Sequence, residues 1–141
     1  MKTRVSLETQ KAYQRTLCQV NARPKGWILQ VGKPSKPLLE IYEEEGFSAA
    51  AFITAYNPRG QKISAVQNRK AQKALLEDIR EKKYAFIPAL GKDPKGEWDG
   101  EPSFLVFGIS LKAAKDLGRK YRQNAILFAG RNGRPRLILL R

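Results

Sequence analysis

Five polar residues that can bind a ligand or transfer a proton follow a short apolar run near the middle of the chain. The run covers residues 49–53. The polar residues after it are Thr54, Tyr56, Asn57, Arg59 and Lys62. Asn57-Pro58 predicts a turn, and a helical pattern begins at Ser64. In open α/β sheets ligands bind at the carboxyl ends of strands, and the N-terminus of a helix attracts anions. The segment therefore predicts a site for a phosphate or carboxylate.

Asn68 adds an amide to this segment. It precedes Leu75 by seven positions on the core-facing stripe of the helix, so its side chain is expected to point inward, where a buried amide needs hydrogen-bond partners. Two interpretations stay open for Asn57 and Asn68: a ligand site, or an Asx turn and a cap that tie the loop to the sheet. The Walker A spacing is absent from the loop.

An acidic loop supplies the carboxylates of a second candidate site. Its members are Asp93, Glu97, Asp99 and Glu101, with Trp98 among them. Carboxylates at this density allow Mg²⁺ or Ca²⁺. The spacing matches no EF-hand, however, so a solvated loop is the alternative and no metal or other cofactor is predicted.

Glu101 differs from the other acids because it stands just before a strand predicted to begin at Ser103. If that strand adjoins the one that ends at Thr54, Glu101 and Asn57 converge on one pocket. Glu101 is then the candidate general base or metal ligand of that pocket. Pairing of Glu101 with a nearby arginine is the alternative.

A basic stripe follows the helix that Ser110 is expected to cap. Lys112, Lys115, Arg119 and Arg122 recur every three or four residues and so share one face. Three more basic residues lie in the C-terminal hairpin, namely Arg131, Arg134 and Arg136. Such a surface suits a nucleic-acid backbone, and a plain solvated helix face is the alternative. Gln123 and Asn124 end this helix and either cap it or reach the pocket.

The composition favours an anionic partner and excludes several classes of enzyme. Lys and Arg number 27 against 13 Asp and Glu, a formal net charge of +14 that favours contact with a polyanion. There is no histidine, which excludes Ser-His-Asp and Cys-His catalysis and zinc sites with histidine ligands. The single cysteine, Cys18, excludes an internal disulfide and fits a reducing cytoplasm.

The pattern of elements predicts one domain, residues 1–141. Helical patterns fall at 6–17, 37–45, 64–82 and 110–121, and strand patterns at 27–31, 49–55, 84–90, 103–107, 125–129 and 137–140. Pro88 indicates an edge strand or a bulge, and Asn132-Gly133 indicates a C-terminal β-hairpin. We therefore expect an α/β or α+β fold with three to four helices and a mixed sheet of five to six strands.

Several short motifs occur in a characteristic order. They are Phe52-Ile53-Thr54-Ala55-Tyr56-Asn57-Pro58; Ser64 and Asn68; Gly91-Lys92-Asp93-Pro94 with Trp98; Glu101-Pro102-Ser103-Phe104-Leu105-Val106; Gly108-Ile109-Ser110; and Gln123-Asn124-Ala125-Ile126. Over residues 40–141 this order resembles the uncharacterised bacterial family catalogued as domain of unknown function 3293. The resemblance implies a fold and a set of marked positions, and it implies no reaction.

Three functional hypotheses follow for a cytoplasmic, bacterial or phage protein. The first is a module that binds a phosphate-bearing ligand, either nucleic acid or a nucleotide, through Thr54, Tyr56, Asn57, Arg59, Lys62, Ser64, Asn68, Ser103, Gln123 and Asn124. The second is a small enzyme on a nucleotide-like substrate with Glu101, Asn57 and Asn68 as its polar core. The third is a regulator that binds a nucleic-acid enzyme as its protein partner. No apolar run approaches the ~20 residues of a spanning helix, so no membrane contact is expected, and the oligomeric state stays open.

Overall fold

A computed structural model describes residues 3–21, 25–96 and 98–141 as an α+β domain. The helices are α1 Leu7–Gln14, α2 Lys36–Glu45, α3 Ala65–Glu81 and α4 Leu111–Lys120, with a 3₁₀ turn at Pro58–Gly60. The strands are β1 Leu17–Val20, β2 Trp27–Gln30, β3 Ala50–Ile53, β4 Ala85–Lys92, β5 Glu101–Phe107, β6 Ala125–Ala129 and β7 Pro135–Leu139.

The strands form one sheet in the order β2-β1-β4-β5-β3-β6-β7. Every neighbouring pair is antiparallel, including the C-terminal hairpin of β6 and β7. The predicted mixed sheet of five to six strands is therefore wrong in strand count and in direction. The strand absent from the prediction is β1: the helical pattern of residues 6–17 includes its first residue, Leu17, and residues 18–20 carry no predicted element. Helix α1 ends at Gln14, and buried Cys18 and Val20 then alternate with Leu17 and Gln19 as strand residues do.

Strand β4 is not an edge or bulged strand, which Pro88 had suggested. It pairs with β1 on one side and with β5 on the other. Proline is tolerated there because the last pair of the β1–β4 ladder is Val20 with Ala89. Pro88, the next residue of β4 in that direction, therefore has no ladder partner in β1. Beyond that point Pro88 is used as an acceptor: its carbonyl accepts from Asn21 N at 3.0 Å.

The sheet packs helices on both faces, and alternate strand residues supply the two cores. On the face that we call the inner face, Phe52, Leu105 and Leu127 pack with α2. On the outer face, Ile53 and Val106 pack with α3 and α4. Next to the edge strands, the backbone N–H of Gly32 donates to the carbonyl of Pro135 at 2.8 Å, so the two edges approach each other and the sheet curls around its inner face.

Local signals explain where the longest helices begin and end. Ser64 caps α3, and with Gln67 it forms the predicted capping box. Ser110 caps α4 as predicted, and Gly46 ends α2 in the left-handed conformation. Helix α1 departs from expectation because it buries no residue, and Leu7 is 66% exposed. In the described part of the chain, no helix has both the length and the apolar character needed to cross a bilayer.

Candidate functional site

A cleft of about 910 Å³ opens on the inner face, at the end of the sheet where β3 ends and β5 and β6 begin. Its volume lies within the range of ligand pockets in proteins. Phe52, Leu127 and Leu137 give it an apolar floor. Helix α1 and the loop of residues 54–63 both line it, and Tyr13 of α1 lies close to Gly60 of that loop.

Asn57 organises one wall of this cleft. Its side-chain amide donates from Nδ2 to Glu101 Oε2 at 2.8 Å. Its Oδ1 accepts from Asn68 Nδ2 at 2.8 Å and from the backbone N–H of Ile63 at 3.3 Å. The backbone N–H of Asn57 in turn donates to Asn68 Oδ1 at 2.8 Å. We call the chain Asn68–Asn57–Glu101 the carboxylate arm.

The orientation of both amides in the carboxylate arm is fixed by groups that can only donate. A backbone N–H faces Oδ1 of Asn57, and another faces Oδ1 of Asn68. The remaining amide nitrogen of Asn57 must therefore face Glu101, which accepts. Among the described residues Glu101 is bonded through its side chain to Asn57, not to the arginine that the alternative interpretation required. Both acceptor sites on Asn57 Oδ1 are filled, so Asn57 and Asn68 mainly position Glu101.

Glu101 is a partly buried carboxylate that lines the cleft. It is the first residue of β5, and β5 lies next to β3, as convergence with Asn57 required. Burial raises the pKa of its carboxyl above the usual value, and the hydrogen bond from Asn57 lowers it again in part. Among the described residues, Oε1 of Glu101 has no hydrogen-bond donor, so this oxygen is available to a ligand.

The loop that carries Asn57 has an unusual backbone. Asn57, Arg59 and Gly60 all have positive φ, at 47°, 58° and 74°. Asparagine and glycine tolerate this conformation, whereas arginine adopts it at a cost. The backbone N–H of Arg59 donates to the carbonyl of Arg122 at 2.7 Å, which anchors the turn. Strain of this kind concentrates at functional sites.

Tyr13 lies in the α1 wall and belongs to a second chain of hydrogen bonds. Arg141 Nη1 donates to Asn124 Oδ1 at 2.9 Å, and Asn124 Nδ2 donates to the Tyr13 hydroxyl oxygen at 3.1 Å. A Cβ on Gly60 would lie 3.1 Å from Asn124 Nδ2, so the loop packs closely against this pair. We call the chain Arg141–Asn124–Tyr13 the tyrosine arm.

Burial raises the pKa of the Tyr13 hydroxyl above its usual value. The hydrogen bond from Asn124 lowers it, the negative charge of Glu101 raises it further, and the positive charge of Arg141 lowers it. The two arms are thus within electrostatic reach of each other across the cleft.

Other predicted polar residues tie the loop to its surroundings. The Thr54 hydroxyl donates to the carbonyl of Pro102 at 2.7 Å, and Gln123 Nε2 donates to the carbonyl of Tyr56 at 3.1 Å. Ser103 is buried, and its hydroxyl donates to the carbonyl of Glu101 at 3.0 Å. These contacts fix the loop and the start of β5 relative to each other.

Most of the predicted site residues line the cleft. The predicted residues that line it are Thr54, Tyr56, Asn57, Arg59, Lys62, Asn68, Glu101, Ser103, Gln123 and Asn124. Ser64 is exposed and does not line the cleft; its hydroxyl accepts from Gln67 N at 3.1 Å within the cap of α3. Arg59 and Lys62 are exposed at the cleft and place positive charge at its opening.

Two contributions to the cleft were missed. Tyr13 falls within the helical pattern of residues 6–17 and Phe52 within the strand pattern of residues 49–55, and neither pattern predicts a role in a site. Nothing in the local sequence places α1 over the end of β3; that follows from the pairing of β1 with β4, which was not predicted. The signal that existed for Phe52 was its position two residues before Thr54, on the same face of one strand.

The acidic loop does not gather its carboxylates. Asp93 is buried, with the Arg15 Nε atom 3.8 Å from its Oδ1 atom, whereas Asp99 is exposed. Glu97 lies outside the described residues. In residues 3–21, 25–96 and 98–141, no group of three or more Asp, Glu or Cys side chains is placed to hold a metal ion.

The basic stripe lies on the other side of the sheet from the cleft. Helix α4 packs its Ala114 and Leu117 against the outer face, whereas the cleft opens on the inner face. Lys112 pairs with Asp116 at 2.9 Å, and Arg119 is exposed. Arg122 is exposed too, but it lies two residues beyond α4 with a φ of 55°, so it does not continue the predicted helical stripe. Arg131, Arg134 and Arg136 are exposed in the β6–β7 hairpin, whose turn is at the opposite end of the sheet from Ala125 and the cleft. The two candidate sites are therefore separate surfaces.

Comparison with known proteins gives a single positive result. A protein-family model described as "Protein of unknown function (DUF3293)" matches residues 53–126. This stretch is more than half of the chain and carries the Asn57, Asn68 and Glu101 positions. No curated protein and no solved structure matches the chain significantly.

Proposed function

The chain belongs to the DUF3293 family of proteins of unknown function, and from that premise we propose that it binds a small phosphate-bearing ligand of nucleotide type in the cleft. The observation that carries the proposal is the Glu101 carboxylate, held by Asn57 at 2.8 Å above an apolar floor, with cationic side chains at the opening. A ligand that satisfies this surface has an apolar or aromatic body, a polar edge and an anionic group.

The floor suits a planar ring. Phe52 and Leu127 offer apolar surface, and Gly91 leaves room above it because it has no side chain. Stacking of a base on an aromatic side chain contributes ~1–3 kcal/mol. A ring lying on this floor has its edge near Glu101.

The opening suits a phosphate. Arg59 and Lys62 are exposed and line the cleft, so a phosphate there is bound without leaving water completely. Arginine binds phosphate oxygens through its planar fork, and lysine adds a point charge. The separation of anion site from apolar floor favours a nucleotide over free phosphate.

Calorimetric titration tests this function. We expect saturable binding of at least one of AMP, GMP and CMP to the wild-type protein. The double variant Arg59→Ala/Lys62→Ala should bind at least about tenfold more weakly, because charge-assisted hydrogen bonds contribute ~1.5–3 kcal/mol each.

The matched control is Lys70→Ala/Lys73→Ala, which removes two exposed lysines of α3 that do not line the cleft. It should bind like the wild type. Equal losses in both double variants, or no saturable binding of any of the three nucleotides, would contradict the proposal.

Catalysis on the same ligand class is the second candidate function. The observation in its favour is the raised pKa of Glu101, which brings a desolvated carboxylate closer to the range of a general base. Glu101→Gln keeps an oxygen that accepts from Asn57. If Glu101 is the base, this variant should lose turnover, measured as product released from the bound nucleotide, while its fold is unchanged. Equal turnover in wild type and variant would exclude this role.

The outer face supports a further interaction with nucleic acid. Helix α4, the segment just after it and the hairpin present exposed Arg119, Arg122, Arg131, Arg134 and Arg136. This surface fits the sequence-based proposal of contact with a phosphate backbone.

The regulator hypothesis, the cytoplasmic location and the bacterial or phage origin stay predictions from sequence.

A further inference from the structure

The two arms fix where the cleft offers a hydrogen-bond donor and where it offers an acceptor. If the cleft binds a nucleotide, as proposed above, these positions determine which part of the nucleotide the two arms bind. Arg141 has only donors, so the Asn124 atom that faces it at 2.9 Å must be the amide oxygen. The amide nitrogen of Asn124 therefore faces Tyr13 and donates to its hydroxyl oxygen. The hydroxyl proton of Tyr13 then has to point elsewhere.

That proton has no acceptor among residues 3–21, 25–96 and 98–141. Tyr13 lines the cleft, and its hydroxyl is within electrostatic reach of Glu101. In the carboxylate arm Asn57 donates to Glu101 Oε2 and leaves Oε1 open. One arm thus offers a donor and the other an acceptor, and each is fixed by an asparagine amide whose orientation is itself fixed.

We infer that Tyr13 donates to the ligand while Glu101 accepts from it, so the ligand carries both a hydrogen-bond acceptor and an N–H donor on its polar edge. Nucleobases have such an edge: adenine pairs N1 with its amino group, cytosine pairs N3 with its amino group, and guanine pairs O6 with N1–H. Ribose 5-phosphate carries the anionic group without that edge. The two arms therefore bind the base of the nucleotide and not its phosphate.

Two variants test the donor role of Tyr13. Tyr13→Phe removes the hydroxyl and nothing else. Asn124→Asp keeps the hydroxyl but replaces the amide donor with an acceptor, so the Tyr13 proton turns away from the cleft while the new carboxylate still pairs with Arg141. Both variants should bind the preferred nucleotide about fivefold to tenfold more weakly, as expected for one neutral hydrogen bond.

The titrations compare AMP, GMP and CMP with ribose 5-phosphate on wild type and both variants. The nucleotide that binds most tightly identifies the base. If it is AMP, N6,N6-dimethyl-AMP, which lacks the donor, should bind at least about tenfold more weakly. Ribose 5-phosphate should bind all three proteins equally, because it does not reach the two arms; this comparison also controls for the charge added by Asn124→Asp.

Failure of the inference and failure of the proposed function give different results. Unchanged nucleotide binding in both variants overturns the donor role of Tyr13 and leaves the proposed function intact. Weaker binding in Tyr13→Phe alone shows that the hydroxyl contributes without the orientation that the Asn124 amide imposes, which also overturns the inference. A wild-type protein that binds none of the nucleotides and no ribose 5-phosphate overturns both.

Discussion

Asparagine side chains do most of the positioning at the scale of single residues. Asn57 connects β3, α3 and β5 through its hydrogen bonds with Ile63, Asn68 and Glu101, and Asn124 connects α1 with Arg141. An amide carries two N–H donors and an acceptor oxygen but no net charge. It can therefore orient a phenol, and it can orient a carboxylate without neutralising the negative charge of that carboxylate. Glu101 is consequently held in place and remains poorly solvated.

This placement predicts how Glu101 affects stability with pH. Its carboxyl has a raised pKa in the folded state, chiefly because of burial, so the folded protein binds the proton more tightly than the unfolded chain does. Glu101 therefore favours folding below the ordinary glutamate pKa, and this contribution is lost as the pH rises through the folded-state value. Relative to wild type, Glu101→Gln should gain stability between pH 4 and pH 7.

Denaturant unfolding of both proteins at the two pH values measures the effect. The control is Glu40→Gln, which removes an exposed carboxylate from α2 outside the cleft. It should show a smaller change between pH 4 and pH 7. A Glu101→Gln protein that loses stability relative to wild type as the pH rises would show that the carboxylate is stabilised, not penalised, in the fold.

Residue chemistry was the part of the site that the sequence predicted best. Asn57, Asn68 and Glu101 were singled out because a buried amide and a strand-initial carboxylate need partners, and the structure joins them directly. Tyr13 could not be predicted in this way. A tyrosine on a short helix has the same local pattern whether it packs in a core or faces a cleft.

At the scale of elements, the turn between β3 and α3 determines the shape of the cleft. It places Asn57, Arg59 and Gly60 at positive φ, and its Gly60 packs against the tyrosine arm. The turn therefore links both arms. Arg59 is the residue of this turn whose positive φ costs the most conformational energy. We therefore expect that its side chain is retained for ligand binding, at the expense of stability.

Arg59→Gly tests this trade between stability and binding. Glycine relieves the strain of the left-handed conformation, which is ~1–2 kcal/mol. It also makes the unfolded chain more flexible, which costs ~0.5–1 kcal/mol. The expected net gain in the free energy of unfolding is therefore about 0.5–1 kcal/mol. Nucleotide affinity should fall because the guanidinium is removed. Thermal or denaturant unfolding and calorimetry give the two readouts.

Lys83→Gly is the matched control, because Lys83 has a φ of 60° just after α3 and does not line the cleft. It should be stabilised by a similar amount and bind nucleotide like the wild type. An Arg59→Gly protein that is stabilised but binds normally would remove Arg59 from the site.

Helices and strands were predicted correctly where a local sequence signal defines them, and incorrectly where pairing between strands defines them. The Ser64 cap and the buried Leu75 and Ile79 predicted α3 within one residue at each end. Strand β1 has four residues and is ordered by β2 and β4, which flank it. Its sequence alone, after a helical pattern, does not show this. The order of strands likewise depends on pairing between distant segments, so the adjacency of β3 and β5 entered the sequence-based prediction only as a condition.

At the scale of the whole molecule, positive charge and the cleft are arranged on different surfaces. The net charge is +14, and α4 carries part of it on the outer face, behind the sheet that forms the floor of the cleft. The acids near these cations are paired: Asp116 with Lys112, and Asp78 with Lys120 at 2.8 Å. We therefore expect polyanion binding and small-ligand binding to be separable.

The salt dependence of oligonucleotide binding tests this separation. Neutralising Lys115 and Arg119 with glutamine should weaken binding of duplex DNA and reduce the slope of log K against log salt by ~0.9 for each phosphate that the variant no longer neutralises. Binding of the mononucleotide in the cleft should not change. Fluorescence anisotropy over a range of salt concentrations gives the slope.

Lys92→Gln/Lys95→Gln is the control, because both lysines are exposed at or just beyond the end of β4 and neither is on α4. It should keep the wild-type slope. A slope that is the same in all three proteins would leave α4 without a role in polyanion binding, and a simultaneous decrease in mononucleotide binding would show that the two surfaces act as one.

Chemical-shift mapping with ¹⁵N-labelled protein and the three nucleoside monophosphates shows whether a nucleotide binds in the cleft, because it locates the ligand without a variant. We predict that the shifted amides cluster at residues 54–64 and 101–103 and around Tyr13 and Asn124, with α4 residues 111–120 unaffected. Shifts confined to α4 and the β6–β7 hairpin, or no shifts at millimolar nucleotide, would contradict the account.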